Sequence, residues 1–204
     1  MKTTFCTAFA GILAGLWLIG CAAPMKSAAP VSDPAQAFEL EKLSFRAPPG
    51  EGWHYVRESA PPVDNVLFMK RGEVQPQGFL ASVSQVGTDH PVTSEKDLSE
   101  KVLQPYFGEM EARKRYEILK LDCNHDESFS KIGVLCSIEL RDYQATEIEP
   151  ADAITFRGHG YAFVHPDDNR IVGVVEFYER GLSEKLSADT KTTLSQFARN
   201  VKVR

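Results

Sequence analysis

Two long strand-like runs, Ala153 to His165 and Arg170 to Arg180, flank Pro166-Asp167-Asp168-Asn169, and nothing else in the chain restricts its fold as much. Proline, aspartate and asparagine favour turns, and runs rich in Phe, Tyr and Val favour strands. The spacing predicts a long antiparallel hairpin. With Val164 opposite Ile171, Ala162 opposite Gly173 and Gly160 opposite Val175, one face also holds Phe156, Gly158 and Phe177. Small residues on that face would let a helix approach closely. The other face sets His159, Tyr161, Phe163 and His165 against Glu176, Val174, Val172 and Arg170. Both faces are partly apolar, so the hairpin is expected near the centre of a sheet.

A second hairpin follows from a turn centred between Phe129 and Ser130. One face then pairs Cys123 with Cys136, Leu121 with Ile138 and Leu119 with Leu140. The other pairs Asp122 with Ser137, Lys120 with Glu139, Ile118 with Arg141 and Tyr116 with Tyr143. A slip of one residue would scramble this sorting. Directly opposed cysteines are within reach of a disulfide, which would stabilise the fold by about 3 kcal/mol. The alternatives are two free buried thiols, or a zinc site on Cys123, His125 and Cys136 that lacks a fourth ligand.

The remaining pattern completes an α+β fold. Leu43-Ser44-Phe45, a Pro/Gly turn and Trp53-His54-Tyr55-Val56 read as the two strands of a hairpin, and Asn65–Lys70 and Phe79–Val86 read as two more strands. Thr93 or Ser94 can cap a helix in which Leu98, Val102, Tyr106 and Met110 recur at helical spacing. Pro105 should kink it or divide it in two. A last helix is expected from about Ser187 to Ala198, with Leu186, Leu194 and Phe197 as its apolar side and Val201-Lys202-Val203 as a short edge strand after it. The fold expected is therefore an antiparallel β-sheet of long hairpins with one helix in the N-terminal half and a C-terminal helix packed on it.

The N-terminus sets the location. From Thr3 to Met25 no side chain is charged, and the run follows Lys2. A basic start, an apolar stretch and small residues before a cut read as a secretory leader. Leu18-Ile19-Gly20-Cys21 resembles the lipobox of bacterial lipoproteins. That resemblance implies a signal peptide over residues 1–20, with Cys21 acylated as the mature N-terminus. Two or three acyl chains anchor stably where one does not. Ala22 in the next position resembles lipoproteins sent to an outer membrane, which in a diderm source would place the domain in the periplasm. Cleavage after Ala23, disfavoured by Pro24, and an uncleaved anchor remain as alternatives. Residues 21–37, rich in Ala, Pro and Ser, read as a flexible tether, leaving 38–204 as a single domain.

The chain has 23 Lys and Arg against 28 Asp and Glu, and loss of Lys2 with the leader makes the balance more acidic. Nucleic acid is therefore not expected as a partner. The Pro-Gly-Trp connection from Phe45 through Trp53, and Phe197 through Val203 after the last helix, resemble the PsbP-like architecture found also in DcrB-like lipoproteins. That resemblance implies a binding or assembly factor without known catalysis, and it carries no site residue over.

Candidate chemistry is sparse. His159 opposite Glu176 could orient a general base, but an ordinary cross-strand contact explains the pair equally. His159 and His165 lie six residues apart in one strand, too far to share a metal. Asp167-Asp168-Asn169 lacks the glycine and distal glutamate of an EF-hand loop, and Ser44, Ser82 and Ser84 sit in plain strands without a nucleophile elbow. The acidic stretch Glu147–Asp152 reads as a solvated connection. No catalytic residue, metal or cofactor is expected. The leading expectation is a lipid-anchored, non-catalytic envelope protein that binds another envelope component. A small-ligand carrier with a cleft between sheet and helices comes second. A hydrolase comes third and would need a nucleophile beside His54, His125 or His159.

Overall fold

The structure, a computed structural model, describes residues 28–112, 115–143, 153–186 and 188–204, with backbone alone for 109–112. Cys21 and the leader, the Met110 side chain, the Glu147–Asp152 connection and Ser187 lie outside the described residues. The strands are β1 (Ala29–Pro30), β2 (Ala37–Glu39), β3 (Leu43–Arg46), β4 (His54–Ala60), β5 (Val63–Arg71), β6 (Gly78–Gly87), β7 (Tyr116–His125), β8 (Gly133–Asp142), β9 (Ile154–His165), β10 (Asp168–Gly181) and β11 (Lys202–Val203). An antiparallel eight-stranded sheet runs in the order β1-β4-β5-β6-β10-β9-β8-β7, and β11-β3-β2 form a small second sheet. With helices on both faces of the large sheet, the class is α+β.

The large sheet buries both faces. On one, Phe156, Val164, Val172 and Val174 pack with Leu98, Val102, Tyr106 and Phe107 of the helical segment. On the other, Phe163, Val175 and Phe177 pack with Phe38, Phe45 and Trp53, and with Leu194 and Phe197 of the C-terminal helix. The β9–β10 hairpin is central, as its two apolar faces require. Its register differs from the expected one. The turn is tighter, with Asp168 opposite His165, and a bulge between Asp168 and Val172 shifts the rest by one residue. Val164 faces Val172, Gly160 faces Glu176, and His159 faces Phe177. The polar turn bonds explain the shortening: Asp168 Oδ1 accepts from Arg170 N–H at 3.1 Å, and His165 Nδ1 accepts from Asp167 N–H at 3.2 Å.

In this register each glycine faces a bulky side chain. A Cβ on Gly158 would lie 2.4 Å from the Tyr178 ring, and one on Gly173 would lie 2.3 Å from the Phe163 ring. Gly158 and Gly173 thus make room for rings of the neighbouring strand, and Gly160 for the Glu176 side chain, rather than for a helix.

Three further expectations are corrected. β3 and β4 do not pair: β3 lies between β2 and β11, so the Pro/Gly connection carries the chain from one sheet to the other. Gly50 and Gly52 supply the left-handed φ values of 94° and 81° that it needs. The expected tether is held from Ala28 on, because β1 pairs with β4, Val31 N–H donates to the Trp53 carbonyl at 2.9 Å, and Phe38 is core. Leu119 bulges out of β7, so Ile118 faces Leu140 and Tyr116 faces Asp142, while Leu119 and Leu121 are exposed rather than core-facing.

The helical segment runs as α1 (Glu95–Leu98), a π turn (Ser99–Leu103) and α2 (Gln104–Ala112). Ser94 caps it by accepting from Asp97 N–H at 3.1 Å. Asp97 pairs with Lys101 and accepts from the Thr93 N–H and hydroxyl, which together hold its carboxyl down to about 2. Pro105 has no N–H to give to the preceding turn. The wide turn just before it, closed by Gln104 N–H onto the Ser99 carbonyl, absorbs that fault, and α2 follows without a gap. The C-terminal helix, α3 (Thr190–Ala198), starts later than expected because Asp189 is its cap, accepting from Thr192 N–H at 3.0 Å.

Candidate functional site

The Cys123–Cys136 pair, bridged by a disulfide in the β7–β8 ladder, borders a concavity at one edge of the large sheet. It is an open groove of about 660 Å³ between the helical segment and the last two strands of the large sheet. Leu103 and Phe107 form one wall, Ile118, Leu121 and Cys123 the other, with Val134 beneath. Glu95, Lys96, Ser99 and Gln104 supply a polar rim. A Cβ on Gly108, also in the lining, would meet nothing within 4 Å. An apolar floor under a polar rim is the usual build of a ligand or partner site.

His125, at the end of β7, is ion-paired with Glu95 at the start of α1 and with Glu127 at 3.2 Å. The hydrogen bond with Glu95, then its charge, raises the imidazole pKa above its ordinary value. This contact ties strand to helix at one end of the groove. Cys123 and Cys136 are therefore not free thiols, and among the described residues no group of three His, Cys, Asp or Glu side chains is placed to hold a metal ion.

His159 and Glu176, expected as a pair, sit on opposite faces. His159 Nδ1 lies 3.0 Å from Thr190 Oγ1, and burial, then Lys191, lowers its pKa. Thr190 is buried, so its hydroxyl is turned into the protein rather than toward a substrate. Glu176 lies in the core beneath the helices. It accepts from Ser82 Oγ and from the Tyr178 hydroxyl, each at 2.9 Å. Burial raises its pKa, and those two hydrogen bonds pull the other way. Burial likewise raises Tyr178 and Tyr106. Glu176 was missed as a buried group because its visibility depended on one residue of register.

The other candidates, His54 apart, have structural partners. His165 Nε2 lies 2.8 Å from the Arg204 carbonyl and so helps to hold the chain end. Ser84 Oγ donates to Asn65 Oδ1 at 3.0 Å. Ser44 pairs with Glu39 and Lys202 in the small sheet. His54 is the residue of β4 beside Pro30 of β1, and its Nδ1 has no hydrogen-bond partner. No helix among the described residues is long and apolar enough to cross a membrane.

No protein-family model matches the chain, and no curated protein sequence does. Among solved structures it is similar to the Saccharomyces cerevisiae Ran-binding protein Mog1p, with 12% identity, 82% of this chain and 94% of that chain covered, and a TM-score of 0.42.

Proposed function

We propose that this chain is an envelope lipoprotein, anchored in a bilayer by acylated Cys21, whose domain binds another envelope component in the groove beside β7. The observation that carries this reading is the groove itself, lined by Leu103, Phe107, Ile118 and Leu121 at one edge of the large sheet. The chain enters the fold at β1, at the opposite edge. Seven strand spacings of about 4.8 Å separate the two edges, roughly 34 Å in all. Residues 21–27 add at most about 23 Å of reach. An anchored domain would then hold its β1 edge toward the bilayer and leave the groove free.

Two measurements test this. Cys21→Ala should release the protein from the membrane fraction and change its migration; retention with unchanged migration overturns the anchor. A photocrosslinker at Ser99 should give a discrete envelope adduct that Gly108→Trp, by filling the groove, abolishes. Survival of the adduct in Gly108→Trp overturns the groove as the site.

A small-ligand carrier is the second reading, favoured by the apolar floor and by a volume within the usual range of small-molecule sites. It requires an apolar fluorescent probe to bind the parent and not Gly108→Trp. A hydrolase has less support, because the hydroxyl beside His159 is buried.

A further inference from the structure

The two edges of the large sheet are finished differently. β4 is covered by β1, two residues ending in Pro30, which blunts an edge. β7 is ten residues long, contains neither proline nor glycine, and has only β8 beside it among the described residues. Its unpaired backbone groups can be assigned by alternation. Asp126 N–H donates to the Gly133 carbonyl at 2.9 Å, so the residues at even positions back to Lys120 turn their N–H and C=O toward β8. Leu121, Cys123 and His125 therefore turn theirs outward. Past Lys120 the Leu119 bulge breaks the pattern.

We propose that β7 is a self-pairing edge, joining two copies of the chain antiparallel about a two-fold axis at Cys123. In an antiparallel pair, opposed residues both turn toward or both turn away from the partner strand, so a two-fold axis relating two copies of β7 passes through a residue facing its own copy. Centring on Cys123 overlaps the bulge-free run Lys120–Asp126 completely, and all three outward-turned residues find partners: Leu121 with His125 of the other copy, Cys123 with itself, and His125 with Leu121. Lys120 then lies opposite Asp126 of the second copy, twice by symmetry, and Asp122 lies opposite Asn124. Centring on Asp122 or Lys120 instead would set like charges face to face, and centring on Leu121 would place the bulge opposite Cys123. Because Leu121 and Cys123 line the groove, pairing sets the two grooves side by side across the axis. The self-pairing stands whether or not a further component occupies the groove.

Sedimentation velocity on the full chain carrying Cys21→Ala, at low ionic strength, tests this. The parent should be a dimer. Lys120→Asp and Asp126→Lys should each weaken it by roughly tenfold, since each replaces two attractive pairs with repulsive ones. The double variant Lys120→Asp/Asp126→Lys should recover the parent's association. Leu121→Pro, which removes an outward N–H that an edge strand does not use in the monomer, should give monomers with an unchanged circular dichroism spectrum. A parent that stays monomeric at high concentration overturns the proposal, as does failure of the double variant to recover. Loss of groove binding by Gly108→Trp with dimerisation intact would separate this interface from the binding reading above.

Discussion

The centre of the large sheet, apolar on both faces, and its β7 edge, where apolar and polar residues alternate, end in opposite environments. Phe156, Phe163, Val172 and Val175 are nearly inaccessible, with layers on both sides of them. In β7, Leu119 and Leu121 keep 39% and 41% of their surface exposed, although Ile138, directly opposite Leu121, keeps 2%. Alternation decides which way a side chain points, but a covering layer decides whether that direction is buried. The helical segment meets β7 at Tyr116 and Ile118 and again through the Glu95–His125 pair, and between these contacts it leaves the groove open over Leu121 and Cys123.

That contrast gives a graded set of expectations. Phe163→Ala should cost the most, about 3–5 kcal/mol, because a ring enclosed by Phe129 and the face of Gly173 leaves a cavity; urea denaturation measures it, and a loss near zero would break the contrast at its buried end. Replacing both Cys123 and Cys136 by serine should cost about 3 kcal/mol on the loop-entropy argument, read as a lower denaturation midpoint that matches the reduced parent. Gly158→Ala should cost about 1–3 kcal/mol, since the new methyl meets the Phe177 carbonyl as well as the Tyr178 ring.

Glu176 sharpens the contrast through pH. Its carboxyl is raised in the folded state, so between the unfolded and folded pKa values the folded chain binds more protons and stability falls as pH rises. Glu176→Gln should remove that fall: parent and variant agree at low pH and diverge above the ordinary carboxylate range, as thermal denaturation across pH would read. Parallel curves at every pH would refute it. Leu121→Ala should be the mildest change, within about 0.5 kcal/mol in the same urea assay, because little burial is lost.

Much of the architecture was legible in the sequence because both long hairpins carry their own turn chemistry. The Cys123–Cys136 register could be read directly, since opposed cysteines and Leu121 with Ile138 all agree on one alignment. The β9–β10 register could not. Either alignment gives two apolar faces, and the choice falls to a bulge shaped by Asp168 and His165. The cost of that ambiguity fell on the site, where His159 and Glu176 changed from neighbours to residues on opposite faces. β1 and β2 gave no signal, because Ala29, Pro30 and Ala37 have no strand preference and only Phe38 is apolar enough to seat one. The place of the groove was hidden for another reason: a cleft between sheet and helices could be expected, but a gap between elements has no residue type that marks where it lies.

The small sheet has a consequence for how the molecule is made. β3 is sandwiched between β2, its near neighbour in the chain, and β11, far removed from it in sequence. A polypeptide delivered amino end first would hold Leu43 and Phe45 half covered until Lys202 and Val203 emerge. Closure of this sheet therefore depends on a pairing between segments far apart in sequence, and a bulky group placed beside Val203 would press on that join.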